Sequence, residues 1–441
     1  MAIIRSSPLL LLLLALTPAA NAYSVLTHEA IIDASWEHEL KPLLLARFPG
    51  STEDQMRDAH AHAYGGAIIQ DMGYYPFGSH FFSDLTHYVR SGDFIVALIR
   101  DSQDLNEYAF ALGALAHYAA DNEGHPVGVN RAEPLIYPKI AKKFGRVVTY
   151  EDDPKTHLKT EFGFDVVQVA RGEYASEAYH DFIGFQVSKE LLERAFEDTY
   201  SLPLKDQFTN IDLALGTYRF AVGQLIPEMT KTAWSTKKKD IEKLQAGMNR
   251  RKFIYRLSRT SYHKEWDRQY QRPGFWARFL AFLFRIMPKI GPFRALAFQV
   301  PTPQAEKLFI LSFDDTLGEY RKLIAETQQN QLHLINENFD TGSPTRFGQY
   351  RMADAAYEKL LEKLGGGSDK SSANKTLRVE VSKDLRDNIV AFYQGSPGPT
   401  SEKARTVLAA LRNQSASAIW PPPSLSPSSA PERLPATPAD R

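Results

Sequence analysis

Apolar positions recur at helical spacing over most of the first 240 residues. Between Asp104 and Ala120, Tyr108, Leu112, Leu115 and Tyr118 fall at three- and four-residue intervals, and Asp104 stands ahead of them as a cap. A helix is predicted there. A second amphipathic stretch runs from Ser188 to Asp198, and Thr27 precedes the apolar-periodic segment His28 to Trp36 as a further helix start. No run alternates with the two-residue period of a strand. The pattern predicts a mainly α protein in which several helices follow one another from Thr27 to about Lys239.

Beyond Lys239 the character changes. From Lys237 to Arg272 basic residues interleave with Phe253, Tyr255, Tyr262 and Trp266, and Phe275 to Phe298 is strongly apolar with Arg278, Arg285, Lys289 and Arg294 spaced through it. Pro288 and Pro292 interrupt that stretch, so it suits a helix lying in a membrane interface, at 275–298, as well as it suits a buried one. Gln304 to Leu364 reads as helical again. Gly365-Gly366-Gly367-Ser368 marks a break, residues 365–414 read as linker and short helices, and the Pro- and Ser-rich residues 415–441 read as a disordered tail.

The chain opens with Arg5, an apolar run from Leu9 to Leu16, and Ala20-Asn21-Ala22, the small-x-small form cut by signal peptidases. Residues 1–22 are therefore expected to be an export signal, with Tyr23 the first mature residue of a periplasmic or secreted protein. The balance of 52 Lys plus Arg against 52 Asp plus Glu points to no nucleic-acid coat and no acidic tail. Cysteine is absent, which excludes disulfides, thiolate zinc sites and thiol nucleophiles. Any metal must be held by His, Asp, Glu or backbone.

Eight such groups fall in the first part of the mature chain: His28, Asp71, His80, His117, Asp121, His125, His157 and Glu161. His117 and Asp121 are four apart, so on a helix they share a face and can converge on one ion; His157 and Glu161 repeat the spacing. An isolated pair of this kind more often makes a surface hydrogen bond. Here His117 and Asp121 close an apolar helix containing Phe110, Leu112 and Leu115, where an unpaired charge is costly. Imidazole and carboxylate without sulfur suit zinc in a hydrolytic site.

The motif His117-Tyr118-Ala119-Ala120-Asp121, together with Ser79-His80-Phe81, resembles the zinc-dependent phospholipase C and single-strand-specific zinc nuclease superfamily. The resemblance covers Tyr23 to Glu161 and implies a multi-helix bundle built around a zinc cluster of two to three ions, with 23–239 as the catalytic domain and the C-terminal helices as an extension. It implies that Asp71, His80, His117 and Asp121 hold one zinc and that His125, His157 and Glu161 hold a second. Tyr23, through its backbone, His28 and a bridging Asp121 would hold a third. His87 competes with His80, which carries the resemblance and is preferred. Asp71 and His80 stand closer together than in the family, and so do Asp121 and His125.

The activity implied is phosphodiester hydrolysis by a metal-bridged hydroxide, with Asp71 as the group that takes the water's proton. Phospholipid head groups are the preferred substrate, and 275–298 the expected peripheral membrane contact. Single-stranded nucleic acid is the alternative, for which Lys237 to Trp266 could stack bases and follow phosphates. A third reading keeps the fold as a non-catalytic, membrane-associated binding protein. His38, His60, His62, His180, His263 and His333 read as ordinary surface or core histidines.

Overall fold

The computed structural model describes residues 25–171, 186–222, 298–365 and 380–417, together with Lys239 and Leu377. Residues 1–22, where an export signal is expected, Tyr23, residues 240–297 and the residues from 418 lie outside them.

Helix α1, Val25–Ser35, continues through a π turn, Trp36–Leu40, into α2, Lys41–Arg47. Thr52 and Gln55 form a reciprocal capping box that starts α3, Glu53–Ile68, and α3 ends in a tight 3-10 turn, Ile69–Tyr74. Three helices follow: α4, His80–Tyr88; α5, Ser91–Asp101; and α6, Leu105–Glu123. Asp104 caps α6 by accepting from the Glu107 amide at 2.8 Å. A second π turn, Gly124–Val129, leads into α7, Asn130–Ile136, and α8, Pro138–Phe144. Helices α9, Pro154–Arg171, α10, Lys189–Tyr200, and α11, Ile211–Phe220, complete the first part. Thr27 lies inside α1, and its hydroxyl donates to Asp165 on α9 at 2.6 Å.

The C-terminal part contributes α12, Pro303–Gln328, α13, Arg351–Leu364, α14, Lys383–Phe392, and α15, Glu402–Ser417. The segment between α12 and α13 is not helical: it carries the short antiparallel pair β1, Glu337–Asn338, and β2, Ser343–Pro344. These are the only named strands among the described residues, and the fold is mainly α.

The centre of the molecule is the crossing of α3 and α6. A Cβ on Gly66 would stand 1.9 Å from the Phe110 carbonyl oxygen, and one on Gly113 would stand 2.0 Å from that of Ala63. Only glycine lets the two backbones touch at these positions. Buried Ala59, Ala63, Ala67, Ala109 and Ala116 keep the rest of the interface thin. Because the helices are this close, the turn after α3 reaches the last turn of α6.

The C-terminal helices share that core instead of forming one of their own. Tyr320 on α12 donates to the Leu112 carbonyl at 2.8 Å, Phe309 stacks on Phe164 at 4.4 Å, and the buried apolar cluster runs on to Leu411. Phe298, the end of the apolar stretch read as a membrane contact, is buried with its ring 5.5 Å from Phe162.

Replacing Gly113 by Ala should force α3 and α6 apart and cost roughly 1–3 kcal/mol, as other overpacked cores do. A thermal melt should show the midpoint lowered by several degrees; an unchanged midpoint would show that the crossing has slack.

Candidate metal centre

Six elements bring their acidic and imidazole groups to one buried region. His28 comes from α1, Asp71 from the turn after α3, His87 from α4, and His117 and Asp121 from α6. His125 comes from the π turn after α6, and His157 and Glu161 from α9. The two helical pairs expected from their four-residue spacing are both present: His117 Nε2 lies 3.1 Å from Asp121 Oδ2, and His157 Nε2 lies 2.8 Å from Glu161 Oε1. Three groups have ligand atoms all within 4.8 Å of one another: Asp71, His87 and His117; His28, His117 and Asp121; and His125, His157 and Glu161.

The spacings within the first two groups decide what they suit. His87 Nε2 is 3.4 Å from Asp71 Oδ1, 3.5 Å from His117 Nε2 and 3.6 Å from Asp121 Oδ2. His28 Nε2 is 3.6 Å from Asp121 Oδ1. These are long for hydrogen bonds. Two donors on one tetrahedral zinc lie about 3.3 Å apart, so His87 Nε2 stands from the Asp71 oxygen and from His117 Nε2 at the spacing of donors that share an ion. The buried oxygens of Asp71 and Asp121, and Nε2 of His125, make no hydrogen bond. Orphaned buried acceptors of this kind are costly unless a cation meets them. The donor set and its spacing fit zinc.

The imidazoles of His117, His87 and His125 are each held by the other nitrogen. His117 Nδ1 lies 2.8 Å from the Ala67 carbonyl, a contact made by the close α3–α6 crossing, and His87 Nδ1 lies 2.8 Å from the Ser83 carbonyl one turn earlier. His125 Nδ1 lies 2.5 Å from Asp340 Oδ1, and His157 Nδ1 lies 3.6 Å from Glu133 Oε2. Tying Nδ1 to an acceptor leaves Nε2 to face the ion. His28 is placed differently: its ring stacks on His117 at 4.4 Å, and Asp165 anchors the first turn of its helix by accepting from the Leu26 amide at 3.3 Å.

Burial and charge act against each other here. Burial, seconded by the His117 imidazole, pushes His28 well below its ordinary value, towards the neutral form that binds metal. Burial opposes the charge on His117, but Asp121 and Asp71 outweigh it and raise the imidazole to about 9. Burial acts to raise Asp121 as well, yet His117 and His28 hold its carboxyl well below the usual range. Glu161 goes the other way, lifted by burial to about 8 against the pull of His157.

The geometry places His87, and not the preferred His80, beside the other groups. His80 is the first residue of α4 and is exposed, whereas His87, seven residues on, lies buried against Asp71 and His117. Seven residues are two helical turns, so both histidines lie on one face and only depth separates them. Tyr23, the expected backbone ligand, is outside the described residues. Among the other histidines, His60 stacks on Trp36 at 3.8 Å and His62 Nδ1 lies 2.9 Å from the Asp58 carbonyl, while His180 and His263 fall outside the described residues. Asp340 and Glu133 belong to the site but carry no sequence signal: neither sits in a recognisable motif or at helical spacing from a ligand.

Residues 27–210 match the family model described as zinc dependent phospholipase C. The match supports the zinc-dependent phospholipase C family for this segment, and with it phosphodiesterase or phospholipase activity in general. No curated protein and no solved structure matches the chain.

The variants His87→Ala and His80→Ala separate the two candidates. Zinc content, measured by elemental analysis after gel filtration, should fall by about one ion per chain in the first and stay at the native value in the second. The reverse pattern would return the ligand role to His80.

Proposed function

We propose that the chain is a zinc-dependent phosphodiester hydrolase of the phospholipase C type, acting on phospholipid head groups with two to three zinc ions. The observation that carries this reading is the set of buried carboxylates and imidazoles whose spacing fits tetrahedral ions, within a segment that matches a zinc-dependent phospholipase family.

Asp71, His87, His117 and Asp121 would hold one ion. His125, His157 and Glu161 would hold a second with one position left for water or substrate. His28 and the second oxygen of Asp121 would hold a third, completed by the backbone of Tyr23 once residues 1–22 are removed. Bound zinc supplies a Lewis acid for the phosphoryl oxygens and acidifies water towards neutral pH.

The protein's own groups orient and move protons around that chemistry. Asp121 presents one oxygen towards His117 and the other towards His28, so a single carboxylate links two positions. Asp71 turns one oxygen to His87, and its other oxygen, which accepts no hydrogen bond, is free to take a proton from the attacking water. The rings of Tyr74, Tyr150 and Phe339 line the region around His87 and His157 and limit access of bulk water.

Phospholipid is preferred over nucleic acid on the family match. The basic aromatic stretches that could meet a bilayer or a single strand lie almost wholly outside the described residues. Among the described residues, no helix is long and apolar enough to cross a membrane. Export by the signal at 1–22 belongs to this reading, because it would expose lipid at an outer surface and free the Tyr23 amine.

The test is hydrolysis of phosphatidylcholine vesicles by the purified mature protein, followed as released phosphocholine. Turnover should require zinc and drop at least about a hundredfold on chelation, since the metal supplies several kcal/mol of transition-state stabilisation. Cleavage of single-stranded DNA without lipid turnover would make the chain a nuclease. Bound zinc without either activity would favour the binding-protein reading.

A further inference from the structure

The segment between α12 and α13 lies far outside the matched residues 27–210, yet it enters the metal centre. Its Asp340 is buried and every polar atom of the residue is engaged. Oδ1 faces His125 Nδ1 at 2.5 Å. Oδ2 accepts from the Tyr350 hydroxyl at 2.6 Å and from the Tyr150 amide at 2.9 Å. The backbone carbonyl accepts from Asn130 Nδ2 at 2.6 Å, and the backbone amide donates to Asn338 Oδ1 at 3.0 Å. Among the described residues no lysine or arginine pairs with this carboxylate. A buried charge held so completely, with an imidazole as its one ion-pair partner among the described residues, is oriented for that imidazole.

The neighbouring residues seat the segment against the same region. The Phe339 amide donates to the His87 carbonyl at 3.2 Å, and the Phe339 ring lies 5.4 Å from that of His87 and 6.0 Å from that of His117. Gly342 has a φ of +59°, and a Cβ there would stand 2.6 Å from the Asn122 carbonyl oxygen at the end of α6. The loop therefore docks on α6 at a distance only glycine allows.

We propose that Asp340 is a positioning residue of the metal centre: it fixes the tautomer and ring plane of His125 so that Nε2 is aimed at the ion shared with His157 and Glu161. The C-terminal segment is then a working part of the site, supplied from outside the residues that carry the family pattern. This rests on the reading of His125 as a metal ligand.

The experiment compares full-length wild type, Asp340→Asn and Tyr350→Phe by chelator-competition titration of zinc and by the visible absorption spectrum of the cobalt-substituted protein. Asp340→Asn keeps the side-chain shape but removes the charge that fixes the His125 tautomer. It should weaken one zinc site by about ten- to a hundredfold, leave the remaining sites unchanged, and alter the cobalt spectrum. Tyr350→Phe removes a hydrogen bond from the same carboxylate without touching His125, and should keep affinity and spectrum near wild type even where its melting temperature falls. Equal zinc affinity and an unchanged spectrum in Asp340→Asn would overturn the positioning role, as would equal losses in both variants. Wild type that takes up no zinc would instead defeat the reading of the whole site.

Discussion

Three buried carboxylates, on Asp71, Asp121 and Glu161, set the terms for the rest of the structure. None pairs with lysine or arginine among the described residues; each faces imidazoles. An all-helical core gives such groups little to bond with, because the helical backbone has already satisfied itself. The arrangement is stable only if positive charge enters the cluster. Divalent ions would supply it while using the converging nitrogen and oxygen atoms directly.

The scaffold is organised to permit that convergence. Gly66 and Gly113 let α3 and α6 cross in backbone contact, which carries Asp71 to the last turn of α6 and places the Ala67 carbonyl on His117. The π turn after α6 directs His125 to the α9 pair and away from Asp121, its neighbour four residues earlier. Widened turns of this kind often occur at functional sites, where they aim a side chain that a regular helix would place elsewhere. The short β pair before α13 then closes the region from the C-terminal side.

Helical periodicity and caps were enough to read α6 and α10 nearly to their ends, since Asp104 and the four-residue apolar rhythm are local signals. The pairs His117 with Asp121 and His157 with Glu161 were legible for the same reason, as one helix face determines both members. His87 was not separable from His80 by sequence, because two turns along one face look identical until burial is known. Gln304 to Leu364 reads as helical and is so in α12 and α13, but residues 329–350 between them contain the β pair. Asp340 was invisible because its contact with His125 spans 215 positions and obeys no local period.

The claim on which the account turns is that the buried cluster is a zinc centre. Its most direct test is elemental mass spectrometry of the mature, full-length protein, purified without added metal and held under buffer free of trace ions. Two or three zinc ions per chain, removable by a strong chelator with a clear loss of thermal stability, is the result predicted. A folded protein that contains no zinc, takes none up when it is offered, and melts at the same temperature with and without it would contradict the account.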